Sequence, residues 1–156
     1  MAEIALAQRM EHVIRTYIQA CNDADAAAIA ACFSPEAVHY YPSPLHKISG
    51  AADMGRFFAT RVPELGIVFT ADQLFTDVER RAVVLEWTMF RRKPAPFVRR
   101  GVELYIFNPQ TWLVSEVRGY SAAPLDSEMP RQELTDFDYE ARGYPTTFPA
   151  DQTKRG

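Results

Sequence analysis

The chain has 156 residues, 47% of them apolar, and a net charge of −3 with acids and bases interspersed. That length suits one domain and the apolar fraction is enough for a sizeable core, so disorder is not expected; no basic run is long enough to track a phosphate backbone, so nucleic-acid binding is not expected either. The opening stretch MAEIALAQRMEH carries an early Glu and no long apolar core, so neither a signal peptide nor a membrane span is expected.

Met10, Val13, Ile14, Tyr17, Ile18 and Cys21 recur at steps of three and four, which predicts one amphipathic helix over residues 3–22. NDAD breaks it. Asp25 is placed to cap a second helix, AAAIAACF, which Ser34 and Pro35 stop. AVHYYP then reads as a short strand, and its alternation sends His39 and Tyr41 to one face, Val38 and Tyr40 to the other. A Pro-rich loop, SPLHKIS, leads to GAADMGRFFATRV, whose apolar residues at 54, 57, 58 and 62 predict a third helix.

From residue 67 the pattern changes to β-branched and aromatic runs: IVFTADQLFTDV, RAVVLEWTMFRR, FVRRGVELYIFN and WLVSEVRGYSA. VERR and NPQT between them read as hairpin turns and KPAP as a looser one. Helices first and antiparallel strands after predict an α+β fold, a curved sheet with helices on one face. The tail from Pro124 is polar but keeps FDYEARGYPTTFP, aromatic enough to pack on something. There is no internal repeat, Gly-rich phosphate loop, CxxC motif or His/Cys cluster at metal-ligand spacing, so no cofactor or metal is expected. Cys21 and Cys32 fall on apolar helix faces, as two buried free thiols of a cytoplasmic protein would.

This order of elements resembles the NTF2-like (cystatin-like) superfamily, which includes SnoaL-like polyketide cyclases, ketosteroid isomerases, limonene epoxide hydrolases and scytalone dehydratases. TYIQACNDADAAAIAACFSPEAVHYYP and GVELYIFNPQTWLVSEVRGY carry the resemblance, which covers residues 5 to about 122. It implies a SnoaL-like domain over residues 1–123 and an extension over 124–156 that packs on the domain or on a dimer partner. It also implies a cone of three helices and a curved, mostly antiparallel sheet around an apolar pocket. In the ketosteroid isomerase members a Tyr on the first helix donates to the developing oxyanion, and Tyr17 matches it. The general base of those enzymes, an Asp before the Pro that ends the first strand, is Tyr41 here. Their second oxyanion donor, a protonated Asp, falls at Glu103. The missing Asp speaks against ketosteroid isomerase activity as such, because a phenol is a weak base at pH 7. Glu86 and Thr88 stand where the epoxide hydrolases carry Arg-x-Asp, which speaks against that chemistry as such. The tyrosines and histidines of scytalone dehydratase are matched only loosely, by Tyr17, Tyr41 and His39.

Alternation along the strands predicts an inward set of His39, Tyr41, Glu103, Tyr105, Glu116, Arg118 and Tyr120, with Glu86 and Thr88 added unless a bulge reverses their strand. Glu103, His39, Tyr17 and Tyr41 are the candidate catalytic residues. Glu103 either pairs with Arg118 or, unpaired, has its pKa raised by burial and donates a proton near neutral pH. His39 is a general base or a satisfied structural residue. Tyr17 and Tyr41 polarise a substrate oxygen or are core aromatics. Arg118, Tyr120, Glu86, Phe58, Tyr105 and Glu116 are substrate-binding candidates, although Glu86 and Glu116 also suit water, and Phe33, Phe57 and Phe58 suit core or pocket wall. Arg91, Arg92 and Lys93, with Arg99 and Arg100 nearby, read as a solvated hairpin end or as a site for an acidic head group. Two functions fit: a cofactor-free acid–base enzyme that cyclises, isomerises, dehydrates or opens an epoxide on a lipophilic oxygenated small molecule, or a non-catalytic module that binds one. Val83, Leu85, Trp87, Val102, Leu104, Ile106, Val114 and Val117 form the predicted outer face, too apolar for water, so a homodimer or coverage by the tail is expected.

Overall fold

A computed structural model of the chain describes residues 2–43, 45–123 and 134–143. Three helices, α1 (Ala2–Asn22), α2 (Ala26–Ala31) and α3 (Ala51–Leu65), pack on one face of a six-stranded mixed sheet. The strands are β1 (Phe33–Tyr40), β2 (Ile48–Ser49), β3 (Val68–Asp77), β4 (Ala82–Arg91), β5 (Phe97–Phe107) and β6 (Val114–Ser121), in the spatial order β2-β1-β6-β5-β4-β3. Neighbours are antiparallel except β1 and β6, which run parallel and join the first strand to the last. Among the described residues, no helix is long and apolar enough to cross a membrane.

The stripe predicted on α1 is the buried one: Met10, Ile14, Tyr17, Ile18 and Cys21 all sit in the core. Asn22, at the end of α1, ties it to β3, donating to the Phe69 carbonyl at 2.9 Å and accepting from the Phe69 amide at 2.7 Å. Asp25 caps α2, its carboxylate accepting from the Ala28 amide at 2.9 Å. The helix is shorter than AAAIAACF and the strand after it longer than AVHYYP. Cys32 ends the helix, and Phe33, Ser34 and Pro35 already belong to β1. Pro35 is tolerated because the β1–β6 ladder is irregular between Phe33 and Val38. β2, only two residues long, lies in the stretch read from sequence as loop.

Register decides which side chains face the helices, because directly opposed residues share a face. Val83 opposes Tyr105, Leu85 opposes Glu103 and Trp87 opposes Gly101, while Tyr105 opposes Val117 and Glu103 opposes Gly119. Tyr105 is fully buried against Tyr17, so this whole set is inward. Three members of the expected outer face, Val83, Leu85 and Trp87, are therefore core residues, and Glu86 and Thr88 lie outside. The reason is energetic: burying three large apolar side chains stabilises by about 1.5–3 kcal/mol each, whereas the opposite phase would bury an unpaired glutamate. On β6 a bulge at Ser115 resets the phase, since Phe107 opposes Val114 but Ile106 opposes Glu116. Val114 and Val117 thus both turn inward, and Glu116 and Arg118 turn outward, against expectation. Val102, Leu104 and Ile106 do face outward.

The described part of the tail packs on that outer surface beside β1 and β6. Leu134 pairs with Pro42, and Leu134 and Phe137 bury against Tyr40. Arg142 donates to both Glu116 oxygens at 3.0 and 3.1 Å and to the Tyr40 hydroxyl at 3.3 Å.

Candidate active site

Between the helices and the inner sheet face lies a cavity of about 640 Å³. Its wall is mostly apolar: Ile18, Phe57, Phe58, Val62, Leu65, Ile67, Phe69, Trp87 and Met89 contribute. Tyr17, Tyr41 and Glu103 are polar members of that wall, and Glu103 is its only carboxylate among the described residues. A second hollow of about 410 Å³, between the start of α1 and the β3–β4 turn, holds none of these groups.

Each element delivers one part of the constellation. Tyr17 comes from α1 and makes edge contacts with Phe33, Phe58 and Tyr105, at ring separations of 5.0, 5.9 and 6.1 Å. His39 and Tyr41, two residues apart at the end of β1, stack at 4.0 Å with 14° between their planes. β5 supplies Glu103 and Tyr105. The Tyr105 hydroxyl donates a hydrogen bond to Glu103 Oε2. The other oxygen, Oε1, lies 3.3 Å from His39 Nε2, within ion-pair reach though not aligned as a hydrogen bond. β6 runs between these strands, and it carries Gly119 where the pair meets. A Cβ there would touch Glu103 Oε1 and His39 Nε2, each at 3.5 Å. Glycine leaves that space open, so a pair from β1 and β5 can form across the strand that separates them.

His39 is fully buried behind the wall and does not line the cavity, whereas Glu103 does. Glu103 is thus the titratable member of the pair that reaches the cavity, and His39 and Tyr105 contact it from behind the wall. Burial pushes Tyr17, Tyr41 and Tyr105 well above the ordinary phenol value, and the Glu103 charge adds to the effect in all three. All three are therefore neutral hydroxyls near pH 7, suited to donate and not to act as bases. Three buried polar atoms of wall residues have no hydrogen-bond partner among the described residues: Tyr41 Oη, Trp87 Nε1 and Arg91 Nε. Such orphans are uncommon in a finished core, and these three lie where a ligand could supply the partner.

Of the ten residues singled out from sequence, Tyr17, Tyr41, Glu103, His39, Tyr105 and Phe58 converge on this site. Tyr120, carried on the outer phase opposite Val102 and 43% exposed, joins the wall at the open end. Glu86 is exposed on the outer face beside Val102. Glu116 and Arg118 are bound to each other and to the tail, with Arg118 over the Phe137 ring at 4.9 Å. Arg118 opposes Leu104, so it cannot reach Glu103, and the expected Glu103–Arg118 pair does not form. Sequence reading missed Trp87 and Gly119 as site residues. The correct phase of VVLEWTMF reveals the first. Nothing local reveals the second, whose value lies in what its neighbours need. No group of three or more His, Cys, Asp or Glu side chains able to hold a metal forms among the described residues.

The SnoaL-like domain model matches residues 14–111. The chain therefore belongs to the SnoaL-like family, and its fold is the NTF2-like, cystatin-like one. Among solved structures it is similar to a cystatin-like protein of unknown function from Methylobium petroleophilum PM1, with 41% identity, 92% of this chain and 95% of that one covered, and a TM-score of 0.87. Two more distant ones share the fold. SalBIII, an epoxide hydrolase/cyclase-like enzyme described in pyran ring formation in polyether salinomycin, has 16% identity over 74% of this chain and 92% of its own, with a TM-score of 0.62. A Mycobacterium tuberculosis protein in complex with estradiol-17β-hemisuccinate has 19% identity over 78% and 95%, with a TM-score of 0.60. Among curated proteins, nothing matches this chain.

Proposed function

We propose that this protein is a cofactor-independent acid–base enzyme acting on a lipophilic, oxygenated small molecule. The observation that carries the reading is a lone carboxylate, Glu103, in the wall of an apolar cavity, held on one oxygen by Tyr105 and faced on the other by His39 at 3.3 Å. Glu103 moves a proton to or from the substrate. His39 sits behind it as a second basic site, and Tyr41 and Tyr17 donate hydrogen bonds to the substrate oxygen as charge builds on it. These parts serve ring closure, isomerisation, dehydration or epoxide opening. The activity named for SalBIII and the steroid ester bound by the mycobacterial protein belong to the same range of substrates, and they support the choice of oxygenated polycyclic and polyether compounds as first candidates. The two buried free thiols suit a reducing cytoplasm.

One observation favours a second reading, a non-catalytic carrier: both Glu103 oxygens already face protein partners. A thermal-shift screen of polyketides, terpenoid epoxides, steroids and phenolic acids separates the two. The enzyme reading expects a compound that stabilises the wild type and is consumed by it, with consumption slowed on the order of 10²–10⁴-fold by Glu103→Gln. A compound that stabilises both proteins and is never consumed makes the protein a carrier.

The proposal extends to assembly. The tail covers the β1–β6 side of the outer face, but Phe75, Phe90, Val98 and Val102 on β3 to β5 are 40–60% exposed. We assign that strip to a homodimer contact. Light scattering that reports a monomer at all accessible concentrations would remove it.

A further inference from the structure

The basic residues around the β4–β5 turn are sorted by strand alternation. Met89 opposes Arg99 and Arg91 opposes Phe97, so Arg91 and Arg99 continue the inward face that holds Trp87 and Glu103. Both line the cavity, at the turn end of these strands. Arg100, opposite Thr88, goes to the outer face. There it donates to Thr88 Oγ1 at 2.7 Å, and Thr88 donates on to Asp72 at 2.6 Å.

The two groups of arginines differ in how their charge is met. Arg100 reaches a carboxylate through one hydroxyl. Arg61, also in the wall, pairs with Glu64 at 2.9 Å. Arg91 and Arg99 have no acidic partner among the described residues. They flank one aromatic ring instead, with guanidinium carbons 4.7 and 5.2 Å from the Phe97 centroid. The Arg91 Nε is buried and unpartnered. Two like charges held beside one ring repel each other, and a single anion bound between them would relieve both. The cavity thus has an acidic end at Glu103 and a cationic end at Arg91 and Arg99. On β5, Glu103 and Arg99 are four residues apart, roughly 13 Å along the strand. Trp87 and Met89 supply apolar wall between them.

We propose that the cavity's ligand is an amphipathic carboxylate, with its acid group on Arg91 and Arg99 and a second, neutral oxygen roughly 13 Å away beside Glu103 and Tyr41. The inference rests on the reading of this cavity as a ligand site, but not on catalysis. It also fixes orientation, since the Glu103 charge repels the carboxylate from the inner end and the arginines draw it to the outer.

The test is a fluorescence titration with 11-(dansylamino)undecanoic acid and its methyl ester, probes of the same body that differ in charge. Wild type should bind the acid about tenfold more tightly than the ester, a difference of about 1.4 kcal/mol. Arg91→Gln/Arg99→Gln should lose that preference while keeping its affinity for the ester. Arg100→Gln, on the outer face, should keep the preference. Added salt should weaken the acid and spare the ester. Circular dichroism checks that each variant is folded, and Arg99→Gln alone replaces the double variant if that one is not. Equal binding of both probes by wild type, or a preference that survives loss of the arginines, overturns the anionic ligand and leaves the cavity reading in place. Failure of both probes to bind wild type overturns the cavity reading and this inference with it.

Discussion

Two glycines on the inner sheet face carry opposite predictions for the same substitution. At Gly101 an added Cβ would stand 2.4 Å from Trp87 Cζ2, 2.8 Å from Trp87 Cε2 and 2.4 Å from the Tyr120 carbonyl oxygen. Those distances are about 1 Å inside ordinary contact. One obstacle is backbone and the other is a ring that is 9% exposed, so neither can step aside freely. Overpacking of this kind costs about 1–3 kcal/mol, and a smaller unfolded-state entropy of about 0.4–1 kcal/mol offsets part of it. The net expectation for Gly101→Ala is a loss of about 1.3 kcal/mol, or roughly 3–5 °C in Tm for a chain of this size. At Gly119 the added Cβ meets nothing closer than 3.5 Å. Gly119→Ala should therefore stay within about 0.5 kcal/mol of wild type. Its methyl would nevertheless fill the gap beside Glu103 and His39, so ligand binding or turnover should fall while stability does not. Urea titration followed by the fluorescence of Trp87 and Trp112 reads the stabilities. Equal midpoints for Gly101→Ala and wild type would refute the packing argument, and a fully functional Gly119→Ala would refute the claim that the space beside the pair is used.

Tyr105→Phe removes the donor to Glu103 Oε2 without opening a cavity. It should cost about 1.5–3 kcal/mol, the range for a hydrogen bond to a charged group, and lower turnover more than substrate affinity; a change in KM alone would deny Tyr105 its positioning role. Burial pushes Glu116 up, but hydrogen bonds from Arg142 and Arg118 outweigh it and hold the carboxyl below its ordinary value of 4.5. The unfolded chain lacks those bonds, so the clasp stabilises above pH 4.5 and is lost as pH falls through the depressed value. The stability difference between wild type and Arg142→Met should be about 1 kcal/mol at pH 7 and shrink as pH falls below 4.5, leaving the part that Arg142 owes to Tyr40 and Phe137. Burial pushes the Cys32 thiol up to about 11 and Cys21 higher still. A disulfide reagent at pH 8 should therefore titrate no thiol in the native protein and two after unfolding, and rapid native reaction would show that these sites open.

The helices and the strand runs were legible because their periods are long and clean: α1 shows six apolar residues on one stripe, and β3 to β6 are β-branched runs between turn residues. The inner pairs His39/Tyr41 and Glu103/Tyr105 were legible for the same reason, since alternation within a single regular strand needs only one reference residue. Errors came where phase depends on another strand. Alternation alone puts Glu86 and Thr88 inward unless a bulge reverses their strand; the structure turns them outward because Val83, Leu85 and Trp87 are worth more inside. Glu116 and Arg118 were misplaced because Ser115 bulges, an extra residue that only the opposing Ile106–Phe107 step reveals. The His39–Glu103 approach was invisible for a related reason, because the two side chains meet across Gly119, on a strand that belongs to neither.

The parallel pairing of β1 with β6 has a consequence for how the protein comes into being. His39 is made early, and its approach to Glu103 cannot exist until residues 114–121 have slotted between β1 and β5. Closing so long a stretch of chain is slow compared with forming the β3–β4–β5 hairpins, which need only local turns. A ribosome-bound or truncated chain that ends before Val114 can hold helices and a meander, yet it has no neighbour to carry His39 to Glu103. The His39–Glu103 contact therefore arrives only with β6, later than the helices and the β3–β4–β5 meander.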